Sequence, residues 1–183
     1  MAAVNWFKYS YLAYLAKPGC DRELYRLIKR KKARRIVELG IESVERSIAL
    51  IEVAQRYAEQ QKVCYTGLDW FDTRSIELPT LTLKLAYRAL QATSANVRLV
   101  PGIPGRSLET IANSHQNTDL ILISQSNDDC DLNHAWFFIP RMLHQTSSVL
   151  REQNDSKAGS SFVPLTLSEI AERAGRNAGR RAA

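Results

Sequence analysis

Two periodicities alternate through the middle of the chain. Short apolar runs, the mark of strands buried on both faces, are separated by longer stretches in which apolar residues recur three and four apart, the mark of amphipathic helices. RIVELG (35–40), KVCYTGLD (62–69), NVRLVPG (96–102) and TDLILIS (118–124) are the predicted strands, with SSVLRE (147–152) a weaker fifth. Helices are predicted over 43–60, 81–93, around Leu108 to Asn113, and over 132–145, the last interrupted by Pro140. In the first helix Val44, Ile48, Ile51, Ala54 and Ala58 form one stripe, Ser43 is placed to cap, and Glu45 suits the positive end of the helix dipole.

Strands separated by helices of this length imply right-handed crossovers, a parallel sheet and helices on both faces. The predicted fold is therefore α/β, a Rossmann-like three-layer sandwich with a mainly parallel sheet. Residues 35–152 form its core, behind a helical, aromatic and basic extension over 1–34. Residues 153–183 are expected to comprise a polar linker (153–161), a short helix (166–175) and a disordered basic tail. Thr166 and Glu169 stand at capping-box spacing, and Gly175 is placed to stop that helix. In open sheets of this kind ligands bind beyond the carboxyl ends of the strands, so the loops after Leu39, Leu68, Val100 and Ile123 are the candidate site.

Composition narrows the setting. With 45% hydrophobic and 24% charged residues, the 183-residue chain is neither fibrous nor largely disordered. Cys20, Cys64 and Cys130 are widely spaced and form no CxxC pair, which argues against a disulfide framework or zinc knuckle and for a reducing cytoplasm. The uncharged run from Tyr9 to Ala16 is too short to span a membrane, and no signal-peptide layout precedes it. The net charge of +6 is uneven: residues 1–35 hold ten Lys or Arg against two acids, whereas residues 36–150 hold nine against thirteen. The region expected to carry a site is thus mildly acidic.

That acidity matters at the first loop, where VELGIESV keeps Gly40 alone of the three glycines that a dinucleotide fingerprint requires. Glu42 places a carboxylate where phosphate would lie, and two like charges about 4 Å apart repel by roughly 4 kcal/mol at an effective dielectric of about 20. NAD, FAD and ATP are disfavoured, while an ammonium or sulfonium group is not.

VELGIES, the acid closing YTGLDWFD, VRLVPG and TDLILIS together resemble the class I S-adenosylmethionine-dependent methyltransferases over about residues 34–150, in a truncated form. The resemblance implies that Glu38 and Gly40 lie against the methionine part of S-adenosylmethionine and that Asp69 takes the ribose hydroxyls. It further implies that Gly102 borders the adenine and that Ser124, with Gln125, faces the methyl donor. Glu42 and Val44 replace the family's second and third glycines, and the closing antiparallel hairpin looks shortened. The resemblance implies methyl transfer to a small-molecule acceptor that the sequence does not identify. The alternative is a scaffold that has lost its cofactor. Read without the resemblance, Asp69 is a turn acid, Glu38 and Gly40 an ordinary strand-to-helix turn, and Glu42 a solvated first-turn acid.

Two further clusters have competing readings. Asp128, Asp129, Asp131 and His134 offer oxygen and imidazole donors for a divalent metal, or form a polar loop with Asp131 capping the helix after it; the loop reading is preferred. RLIKRKKARR (26–35) has the charge to grip nucleic acid, with Trp6, Phe7, Tyr9 and Tyr11 nearby, or is a solvated helix end; the second is preferred. The aromatic N-terminus also suits a homodimer contact.

Overall fold

The computed structural model describes residues 6–59, 61–127, 129–133, 135–155 and 159–181. Its centre is a six-stranded sheet in the order β3-β2-β1-β4-β5-β6. β1 (Arg35–Leu39), β2 (Cys64–Asp69), β3 (Asn96–Pro101), β4 (Thr118–Ile123) and β5 (Leu143–Asp155) are parallel, and β6 (Gly159–Leu165) runs antiparallel to β5. β1 and β4 are central and flanked on both sides, which is why their sequences are nearly continuous apolar runs.

Helices α1 (Trp6–Tyr14), α2 (Gly19–Lys31), α3 (Val44–Tyr57) and α4 (Leu83–Gln91) cover one face. There Leu24, Ile28, Leu50, Ile51 and Val53 pack on Ile36, Tyr65, Leu120 and Leu122. α5 (Pro104–Ile111), α6 (Asp129–Leu132), α7 (Ala135–Met142) and α8 (Leu167–Arg181) cover the other. Leu108, Trp136, Ile139 and Ile170 close over Val37, Leu39, Leu68, Ile121 and Ile123. Successive strand residues serve opposite faces, as the pleat requires.

The capping expectations hold in atomic detail. Ser43 Oγ accepts the Arg46 amide at 3.1 Å, and Thr166 and Glu169 exchange reciprocal bonds at the start of α8. Other expectations need correction. The expected linker 153–161 is strand at both ends, because β5 runs on to Asp155 and β6 begins at Gly159. α8 does not stop at Gly175 but continues to Arg181: no proline follows, and a single glycine costs a helix only about 1 kcal/mol. Of the helix expected over 132–145, Ala135–Met142 forms α7 with Pro140 inside it, Leu132 closes the short α6, and residues 143–145 already belong to β5; Asp131 lies inside α6 instead of capping a later helix. No helix among the described residues is long and apolar enough to cross a membrane.

Close packing makes one glycine indispensable. A Cβ on Gly105 in α5 would lie 1.8 Å from the Asp131 carbonyl oxygen, whereas nothing lies within 4 Å of one on Gly175. Gly105→Ala is expected to destabilise by about 1–3 kcal/mol, and Gly175→Ala to stabilise by about 0.5–1 kcal/mol, in urea unfolding at pH 7. The reverse ranking would be incompatible with α5 lying against α6.

Candidate binding site at the carboxyl edge of the sheet

The strand-to-helix turn after β1 is held from below by a buried ionic network. Glu38, fully buried, accepts hydrogen bonds from Tyr65 Oη at 2.6 Å and Ser47 Oγ at 2.7 Å, and Arg46 Nη2 lies 3.4 Å from its other oxygen. Arg46 Nη1 reaches across to both oxygens of Glu152 on β5 at 3.0 and 3.1 Å. Burial disfavours the charged guanidinium, but Glu38, Glu152 and Asp21 outweigh it and hold the Arg46 pKa above its usual value. Burial raises Glu152 and Asp21 above the ordinary carboxylate range against the opposing pull of Arg46. Three acids thus surround one base.

Above this layer Gly40 has φ +79°, a conformation that side chains rarely adopt, and its amide donates to the Leu68 carbonyl. The loop after β4 folds over it: Asn127 donates to the Leu39 carbonyl at 2.7 Å, and a Cβ on Gly40 would meet Asn127 Nδ2 at 2.5 Å and Ser126 Oγ at 2.9 Å. Glu42 is not freely solvated. Half-buried, it accepts a bond from the buried Ser124 hydroxyl at 2.8 Å, because the β4 loop sits beside the turn. Val44 packs inward against the core.

Asp69, closing β2, is buried and fully engaged. One oxygen accepts the Ile41 amide and Arg74 Nη2, the other the Phe71 amide and Arg74 Nε, all at 2.7–2.8 Å. Phe71 is itself held at φ +47° with its ring buried. Such a left-handed conformation in a non-glycine residue persists only where its surroundings enforce it. Gly102, at φ +125°, donates its amide to the Asp69 carbonyl, which brings the loops after β2 and β3 together. Glu38, Gly40, Glu42, Asp69, Gly102 and Ser124 therefore gather at one edge of the sheet, with Glu38 lying beneath the turn. Sequence reasoning did not single out Arg46, Arg74, Asn127 or Glu152. The only advance sign of Arg74 was its place five residues after Asp69 in a short turn.

The secondary clusters separate. Asp128 and His134 lie outside the described residues, and among those described no group of His, Cys, Asp or Glu is arranged to hold a metal. Much of the basic run is engaged internally: Lys29 lies over the Tyr9 and Tyr57 rings, Lys31 donates to the Thr146 carbonyl, and Lys32 pairs with Glu59.

No family model matches the sequence, and neither does any curated protein. Among solved structures, the chain is similar to cofactor-bound Rv0187 from MTB, with TM-score 0.53 and 18% identity over 94% of this chain and 73% of that one. It is also similar to a putative protein-L-isoaspartate O-methyltransferase from Plasmodium falciparum in complex with S-adenosyl-L-homocysteine, with TM-score 0.46 and 14% identity over 82% and 72% of the two chains. The second likeness is too loose to inform the site. The first shows the fold: the protein is a Rossmann-like three-layer α/β sandwich, the architecture that class I methyltransferases use.

The ionic layer makes a pH-dependent prediction. Asp21 and Glu152 bind protons more readily in the folded than in the unfolded protein, so their contribution to stability is greatest below their unfolded pKa and is lost as pH rises through their folded pKa. Arg46→Met strands Glu38 and Glu152 and is expected to cost about 3–5 kcal/mol near neutral pH. The deficit should shrink on acidification to about pH 5, as the stranded carboxylates take up protons. Urea titrations at several pH values measure both effects, and a pH-independent deficit would contradict the network.

Proposed function

We propose that the chain binds S-adenosylmethionine at the carboxyl edge of the sheet and passes its methyl group to an acceptor whose identity neither the residues nor the fold specify. The observation that carries this reading is Asp69: a buried carboxylate at the end of β2, facing the turn after β1 in a sheet of order β3-β2-β1-β4-β5. A carboxylate so placed accepts two hydroxyl donors in one plane, as a ribose diol requires. The surroundings suit the rest of the ligand in charge, since Glu42 and the acid-rich layer beneath favour a cation and oppose phosphate. S-adenosylmethionine would supply a methyl group already activated on sulfur, so the protein's task is to hold donor and acceptor in line.

The donor set fits only when Arg74 leaves. Its two nitrogens occupy the acceptor positions of Asp69 that the hydroxyls would take. This favours a second reading, in which Arg74 and the Asn127 loop have closed the site for good and the chain serves as a scaffold.

Calorimetric titration with S-adenosylmethionine separates the two. Saturable binding by wild type is expected, weakened about 10- to 100-fold by Asp69→Asn, the range for a lost hydrogen bond to a charged group. Arg74→Met, which frees the carboxylate, is expected to tighten binding. Silence from both wild type and Arg74→Met, with both folded by circular dichroism, would establish the scaffold.

A further inference from the structure

At the opposite end of the strands, a cavity of about 360 Å³ opens on the face covered by α5. It exists because α5 ends at Ile111, leaving the first residues of β1, β2 and β3 without a helix over them. Strand register fills this uncovered floor with polar groups. Arg35 aligns with Cys64 and Cys64 with Asn96, while Val37 aligns with Thr66 and Thr66 with Arg98. By the alternation of the pleat both rows face the same side. One step further along, the same face carries Leu39, Leu68 and Val100 and belongs to the core. Thr66, buried, thus stands where such strands ordinarily carry an aliphatic residue, and Arg98 lies beside it on the exposed edge strand.

His115 closes the wall. Its Nε2 lies 2.9 Å from the buried Thr66 hydroxyl, and its Nδ1 lies within reach of the Ile111 carbonyl and Ser114 Oγ. Arg35 and Arg98 line the cavity with His115, and burial lowers the His115 pKa against the hydrogen bond to the Ile111 carbonyl, with Arg98 and Arg35 lowering it further. None of the described residues lining it is acidic. Among the described residues Arg98 has no side-chain hydrogen bond or ion pair, and Arg35 uses one nitrogen on the Gln116 carbonyl, which leaves donors on each. The adjacent cavity, by contrast, contains Asp119, whose carboxylate is taken up by the Arg34 and Arg35 amides and by His144.

We propose that this cavity is a binding site for a small phosphate monoester, its phosphate held between the Arg35 and Arg98 guanidiniums beside His115 and its remainder lying along Thr66, Asn96 and Cys64. Guanidinium forks match the geometry of phosphate oxygens, and the cavity is the size of a small-ligand pocket. The site is separate from the carboxyl edge and stands whether or not S-adenosylmethionine binds there.

The experiment follows the His115 ring resonances of the full chain by NMR during titration with inorganic phosphate and, separately, with a short single-stranded RNA. Phosphate is expected to produce a saturable shift and to raise the His115 pKa, because a bound dianion reverses the sign of the local field. Arg98→Ala, an exposed position whose loss leaves no buried partner, is expected to weaken binding by about tenfold or more, with partial recovery in Arg98→Lys. Thermal melting verifies that each variant is folded. A shift that fails to saturate, or one indifferent to Arg98→Ala, would overturn the proposal. So would RNA that binds far more tightly than phosphate through Lys29 to Lys32 while Arg98→Ala has no effect.

Discussion

Arg46 decides how the upper half of this protein is assembled. Rooted in the first turn of α3, its guanidinium spans from Glu38 on β1 to Glu152 on β5, passing over β4, and lies 5.7 Å from the Phe162 ring on β6. One side chain thereby sets a helix against three strands, including the antiparallel one at the edge. Burying such a cluster costs several kcal/mol per ion in desolvation, so its contribution is better understood as fixing an arrangement than as adding stability. With α3 anchored, the turn before it has little freedom, and Gly40 is driven into its left-handed conformation under the Asn127 loop.

Asp69 performs the matching task one strand over. Its carboxylate binds the amides of two different turns and is clasped by Arg74, so the loops after β1 and β2 are locked as one piece. The atoms that would recognise a ribose in the proposed function are therefore the same ones that tie the edge together. Under the proposed function, binding and local stability would compete for one group, and the side chain that would have to yield is an arginine on a short turn.

The parts legible in the sequence are those with local causes. Continuous apolar runs disclosed β1 and β4, since strands flanked on both sides tolerate little else, and Ser43 and Thr166 capped the helices they precede because a cap needs only neighbours in the chain. β6 was missed because GSSFVPL alternates weakly and contains Pro164, a residue that edge strands accept and central ones refuse; its pairing is supplied by β5. Arg46 and Arg74 looked like single charges on a helix and in a turn, since their partners lie on strands that only the fold brings near. The polar rows of Thr66 and Arg98 needed the register between three strands, which no single stretch of chain contains.

The two ends of the sheet carry opposite charge. Arg34, Arg35, Lys62 and Arg98 lie towards the beginnings of the strands, offset in part by Asp119, while Glu38, Glu42, Asp69, Asp72 and Glu152 lie towards their ends, offset in part by Arg46, Arg74 and Arg151. The protein accordingly has an electric dipole directed along its strands. A charge distribution of this sense steers anions towards the arginine-bearing end and cations towards the acidic mouth.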